Sequence, residues 1–194
     1  MLNRGASTND VRCYMGNVTI SALPASGPSI SGDASLAFWY DGTTLQVTSD
    51  GSGATVASPI EFRNSSATCS INVDDGATVD DLTIAGNITI NGSDGVGAWT
   101  KDGDGQLALT GTNYAPAAVT INTGTLQVGN GGTSGDLGSA PITINSTLAY
   151  DRSDTATLNN PLSGGGALVQ TGSGTLVVAS TNSLSGFYGT VAVN

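Results

Sequence analysis

Lys101-Asp102-Gly103-Asp104-Gly105-Gln106-Leu107-Ala108-Leu109-Thr110-Gly111-Thr112-Asn113 comes back as Gln170-Thr171-Gly172-Ser173-Gly174-Thr175-Leu176-Val177-Val178-Ala179-Ser180-Thr181-Asn182, at an offset of 69 residues (170 − 101). Both glycines, the leucine and the asparagine coincide. After the second glycine the residues alternate at the pleat period of a half-buried strand. A unit repeated within one chain marks a stacked array, in which each coil buries its inner face only against its neighbours. Thr-Ile-Asn repeats as well, at Thr89-Ile90-Asn91, Thr120-Ile121-Asn122 and Thr143-Ile144-Asn145.

The flanking sequence has the same grammar. Short alternating runs such as Thr44-Leu45-Gln46-Val47, Ser70-Ile71-Asn72-Val73, Thr125-Leu126-Gln127-Val128 and Thr147-Leu148-Ala149-Tyr150 are separated by Asp-Gly, Asn-Gly and Gly-Gly turn signals. No long window carries apolar residues at helical spacing. The reading is all-β, and the internal repeat favours a parallel β-solenoid over an immunoglobulin-like sandwich or jelly roll. Inward positions take small β-branched residues, corners take glycine and asparagine, and outward positions take Thr, Ser and Asn.

Composition narrows the function. The chain has 194 residues, 28 of them glycine, with 10% charged residues, no histidine and a formal charge of −10. So sparse and acidic a charge set excludes a nucleic-acid partner, which needs clustered Lys and Arg. No run approaches the ~18 apolar residues of a membrane-spanning helix. Without histidine no Ser-His-Asp or Cys-His arrangement exists.

Residues 1–50 fit the repeat less well and read as an N-terminal arm, atypical cap or anchoring segment before a solenoid at residues 51–194. They hold prolines at 24 and 28 and the aromatic run Phe38-Trp39-Tyr40, a candidate partner contact or a plug for the first coil. Cys13 and Cys69 read as buried thiols rather than a disulfide. The opening Met1-Leu2-Asn3-Arg4-Gly5 lacks the apolar core of a secretory signal.

Candidate chemistry is thin. Asp74/Asp75 and Asp80/Asp81 are adjacent pairs and point to opposite faces of a strand. Asp102 and Asp104 share a face but lie among glycines, so they read as turn formers rather than a glycoside-cleaving pair. Asp102-Gly103-Asp104-Gly105 and Gly131-Gly132-Thr133-Ser134-Gly135-Asp136 resemble fragments of calcium loops without a full ligand series. The expectation is no catalytic residue, no metal and no cofactor.

The stretch from Trp99 to Tyr114, followed by Thr120-Ile121-Asn122-Thr123-Gly124-Thr125-Leu126, resembles the autotransporter-associated β-strand repeat, with weaker likeness over residues 54–84. The second copy departs from the pattern, with Gln170 in place of Lys and Ser183 in place of Tyr. The resemblance implies a right-handed parallel β-helix of a surface-exposed passenger region. Combined with the missing leader, it points to a non-enzymatic structural protein, first of all a bacteriophage virion component such as a capsid decoration protein or tail fibre or spike module. The alternatives are a passenger fragment acting as a bacterial surface adhesin, and a glycan-cleaving β-helical spike. Expected partners are a second copy of the chain, for instance in a trimer, other virion or cell-surface proteins, and surface glycans.

Overall fold

A computed structural model describes residues 12–15, 17–22, 28–32, 35–38, 42–49, 51–62, 68–90, 98–112, 118–179 and 184–194. In chain order the strands are β1 (Arg12–Met15), β2 (Val18–Ala22), β3 (Ser29–Ile30), β4 (Ser35–Phe38), β5 (Thr44–Ser49), β6 (Ala54–Val56) and β7 (Ile60–Phe62). There follow β8 (Thr68–Val73), β9 (Leu82–Ile84), β10 (Ile88–Ile90), β11 (Ala98–Asp102), β12 (Gln106–Leu109), β13 (Val119–Ile121) and β14 (Thr125–Val128). The last are β15 (Ile142–Ile144), β16 (Thr147–Tyr150), β17 (Thr155–Leu158), β18 (Leu162–Gly164), β19 (Ala167–Gln170), β20 (Thr175–Val178), β21 (Gly186–Phe187) and β22 (Thr190–Val193). There is no helix among the described residues.

Every strand pairs in parallel with the strand one coil away. One side is an eight-stranded sheet in the order β2-β5-β8-β11-β13-β15-β18-β21, and the next is an eight-stranded sheet from β3 to β22. Among the described residues the third side is strand only towards its ends, as β1-β4-β7-β10 and as β17-β20. Between them residues 137–140 run without strand pairing, yet Leu137 and Ala140 are buried, and the Asn160 amide donates to the carbonyls of Gly138 and Ala140 at 3.2 and 2.7 Å. The fold is a parallel β-solenoid.

β2 pairs with β5 and β5 with β8, so β2 and β5 belong to the same sheet as β8. Residues 1–11 lie outside the described residues.

Alternation places one file of residues inside and the next outside. Leu82, Leu107, Leu126, Leu148 and Leu168 stack up the second sheet's inner face, all fully buried. Each such side chain removed from water contributes about 2 kcal/mol. Near the N-terminal end, Phe38 packs against Phe62 at 5.6 Å between ring centroids, and Phe62 stacks on Trp99 at 6.4 Å.

The sequence repeat does not return to the same side. Trp99 pairs with Val119, Val119 with Ile142 and Ile142 with Leu162, so three coils take 63 residues (162 − 99), six fewer than the repeat offset. Those six residues carry the second copy one side further round. β11 and β12 lie in the first and second sheets, while their counterparts β19 and β20 lie in the second sheet and on the third side.

What the copies share is therefore the corner, not the face. A Cβ on Gly103 would stand 2.2 Å from the Val73 carbonyl oxygen of the coil below, and one on Gly174 would stand 2.0 Å from that of Asp154. Gly103 also has φ +76°, a region that L side chains rarely adopt. Two glycines per corner let the backbone of one coil sit directly on the next.

Candidate functional site

The position that opens the repeat does an unexpected job. Lys101, the penultimate residue of β11, lies on its inner face, between Ile71 below and Ile121 above, and is 0% exposed. Its ammonium turns into the corner and donates to the carbonyls of Asp102, Gly103 and Thr123 at 2.9, 2.7 and 3.3 Å. Thr123 belongs to the corner above, so one side chain ties two coils. Burial pushes the Lys101 ammonium down to about 8, although Asp102, Asp104 and Asp81 draw it back up. Gln170 occupies the same place at the end of β19, and its amide donates to the carbonyls of Gly172 and Gly174 at 3.0 and 3.2 Å. An ammonium and an amide serve alike because both are donors aimed at corner oxygens.

Both calcium-like stretches contain such an internal donor. Lys101 takes up the Asp102 and Gly103 carbonyls of the first. Over the second stretch, the Arg152 guanidinium donates to the Gly135 and Thr133 carbonyls and is held by Asp154 at 2.8 and 2.7 Å. Hydrogen bonding to Asp154 raises the Arg152 pKa, and the same bond lowers that of Asp154. Among the described residues no three of His, Cys, Asp and Glu are grouped to hold a metal.

The outer face of the first sheet carries two polar files. Thr44, Ser70, Thr100, Thr120, Thr143 and Ser163 stand in register over six consecutive strands. Beside them Gln46, Asn72 and Asp102 are in register, and the backbone of Asn122 and Asn145 continues the climb from β11 and β13. Asp102 is the hub of this surface. It accepts from the Ser70 and Thr100 hydroxyls at 2.6 Å each and from the Asn122 amide at 2.8 Å. Partial burial pushes its pKa up, but these three donors and the Lys101 charge outweigh that and hold the carboxyl below its usual range. Asn145 donates onward to Asn122 at 3.4 Å, and Thr143 shares a 3.0 Å hydrogen bond with Ser163.

Three further carboxylates are similarly occupied. Asp81 is buried and accepts backbone N–H groups of Gly76 and Gln106, both at 2.8 Å. Asp80 accepts from Gln106 and Asn130 at 2.7 Å each, and Asp74 from Gln46 at 3.1 Å. Phe38 is buried in the core, facing Phe62; Trp39 and Tyr40 lie outside the described residues. Cys69 is buried, with its sulfur 3.2 Å from the Thr43 hydroxyl, while the Cys13 side chain lies outside what is described. Sequence reasoning missed Lys101 and Gln170 as corner plugs. The signal was present as a polar residue at an inward position of the alternation, two residues before Gly-x-Gly.

Comparison with known proteins agrees with this construction. The passenger-associated-transport-repeat matches residues 100–128 and 168–192, which begin at the two plugged corners. An adhesin autotransporter, BmaC of Brucella suis biovar 1 (strain 1330), is 35% identical over 168 residues, covering 77% of this chain. The chain spans about 5% of that relative's length. No solved structure matches the chain. With repeats, corners and relative in agreement, the chain is a β-solenoid that carries the autotransporter passenger repeat twice.

Proposed function

We propose that this chain is a stretch of a bacterial surface passenger and works in adhesion. The observation that carries the reading is its similarity, over most of its own length, to a protein that is itself an autotransporter adhesin. The architecture supports it: a rod whose backbone hydrogen bonds run from coil to coil displays a long outer face of Thr, Ser and Asn. Of the two main sequence-based expectations, the comparisons favour the bacterial surface over the virion. The argument for a virion rested on a missing leader, and a chain spanning about 5% of its relative is no basis for that argument.

The role needs no bond-breaking chemistry. Asp102, the acid on which a glycan-cleaving reading rests, already accepts three hydrogen bonds. Cell-surface partner proteins and self-association, such as a trimer, belong to the same proposal, and sedimentation velocity reads the oligomer directly. The deciding experiment displays the chain on a non-adherent bacterium and counts cells retained on epithelial monolayers under flow. Retention above that of an unrelated solenoid of equal length is the expected result. Retention equal to that control removes the adhesion reading.

A further inference from the structure

Building on the adhesion reading, we propose that the outer face of the first sheet is the contact surface, and that it takes a neutral glycan chain. The argument starts with charge. In a chain of formal charge −10, the two polar files contain one ionised group, Asp102, whose oxygens are engaged by Ser70, Thr100 and Asn122. Within the two files a cationic partner finds only a carboxylate that three donors already occupy, and an anionic one finds no cation. A neutral partner with many hydroxyls carries no such mismatch.

Hydrogen-bond direction adds a second constraint. A hydroxyl has one proton and two lone pairs. Ser70 and Thr100 spend their protons on Asp102, so their oxygens face outward as acceptors. Thr143 and Ser163 share one bond between them, and one N–H of the Asn122 amide also points at Asp102. The Ser70 and Thr100 oxygens thus remain as acceptors within a file that also carries the hydroxyls of Thr44 and Thr120, a mixture that sugar hydroxyls, which both donate and accept, can pair with. Parallel stacking repeats these groups every ~4.8 Å, so the file from Thr44 to Ser163 runs about 25 Å. Many weak contacts at a fixed spacing on a rigid support sum without the ordering cost a flexible segment would incur.

The test uses the whole chain on insoluble cellulose, chitin and mannan, with pectate as an acidic control. Thr120→Val with Thr143→Val removes two hydroxyls while keeping β-branched shape. Thr120→Arg with Thr143→Arg blocks the face, and Thr147→Arg on the second sheet serves as the control. Melting curves establish that each variant is folded. The expected result is retention on at least one neutral polysaccharide that falls roughly tenfold in both double variants, persists in Thr147→Arg, and resists about 0.5 M salt. Retention on none of the neutral supports, retention unchanged by both double variants, or retention only on pectate that salt abolishes would each overturn the glycan face. Flow adhesion of the same variants separates the two readings. Adhesion that survives both double variants removes the glycan face alone. Polysaccharide retention by a chain that never holds cells under flow removes the adhesion reading alone.

Discussion

At the scale of the residue, Lys101 is the most informative side chain. Its ordinary pKa of 10.5 falls to about 8 in the folded chain, so between these values the unfolded state binds more protons. Stability from this group therefore rises as pH climbs from about 8 to 10.5, and is lost as pH falls back through about 8. Lys101→Gln, which installs the residue used at position 170, removes that slope. The difference in unfolding free energy between parent and variant is expected to change by up to ~3 kcal/mol across the window, read by denaturant titration at each pH. Identical slopes would show that the ammonium is not desolvated. Asp102→Ala has a different signature. It strands the Ser70, Thr100 and Asn122 donors at a partly exposed site and is expected to cost about 2 kcal/mol at neutral pH. That loss shrinks in acid, because the carboxylate's contribution disappears as pH falls through its lowered pKa. Neither role could be read from sequence. Alternation marks Lys101 as inward, but the carbonyl of Thr123 belongs to another coil, and Asp102 draws donors from 32 and 20 residues away.

At the scale of the element, corners rather than strands carry the specificity. Gly103→Ala combines a positive φ with a Cβ 2.2 Å from a carbonyl oxygen of the coil below. The two coils must separate, at an expected cost of about 2–4 kcal/mol in thermal or chemical unfolding. An alanine there that leaves stability intact would mean the coils are not in contact at this corner. The loop after β14 illustrates a different corner. Arg152 donates to the carbonyls of Thr133 and Gly135, while the Ser153 and Gly131 N–H groups bond to Gly132 and Asp151. Arg152→Ala is expected to free this loop, with faster protease cleavage between residues 130 and 136 and little change in the global melting temperature. The existence of these corners was legible, because Gly-x-Gly and Asn-Gly stand out among alternating strands. Their internal cations were not, since a lone Lys or Arg in sequence looks like a solvated charge.

At the scale of the whole molecule, each coil is stabilised by its neighbours, so loss of structure is expected to spread from the ends. Val191 and Val193 stand in register with buried Leu168 and with Gln170 but are 61% and 79% exposed. Hydrogen exchange of the isolated chain should be fastest in β21 and β22 and slowest around β12 to β16. Uniform protection along the rod would argue for a single all-or-none unit.

The sequence by itself determined the strand character, the glycine corners and the stacking, because these follow from rules acting within a few residues: pleat period, positive φ and the need of each coil for a neighbour. It also carried the kinship with autotransporter passengers, since the repeat is written linearly. Only the tertiary structure decided which side of the coil each copy occupies and which groups meet across coils. The reason is cumulative. Ile71 pairs with Lys101 after 30 residues, but Lys101 pairs with Ile121 after 20. With coil lengths that unequal, the phase between sequence repeat and solenoid is set by the sum of all the turns, and no local rule records that sum.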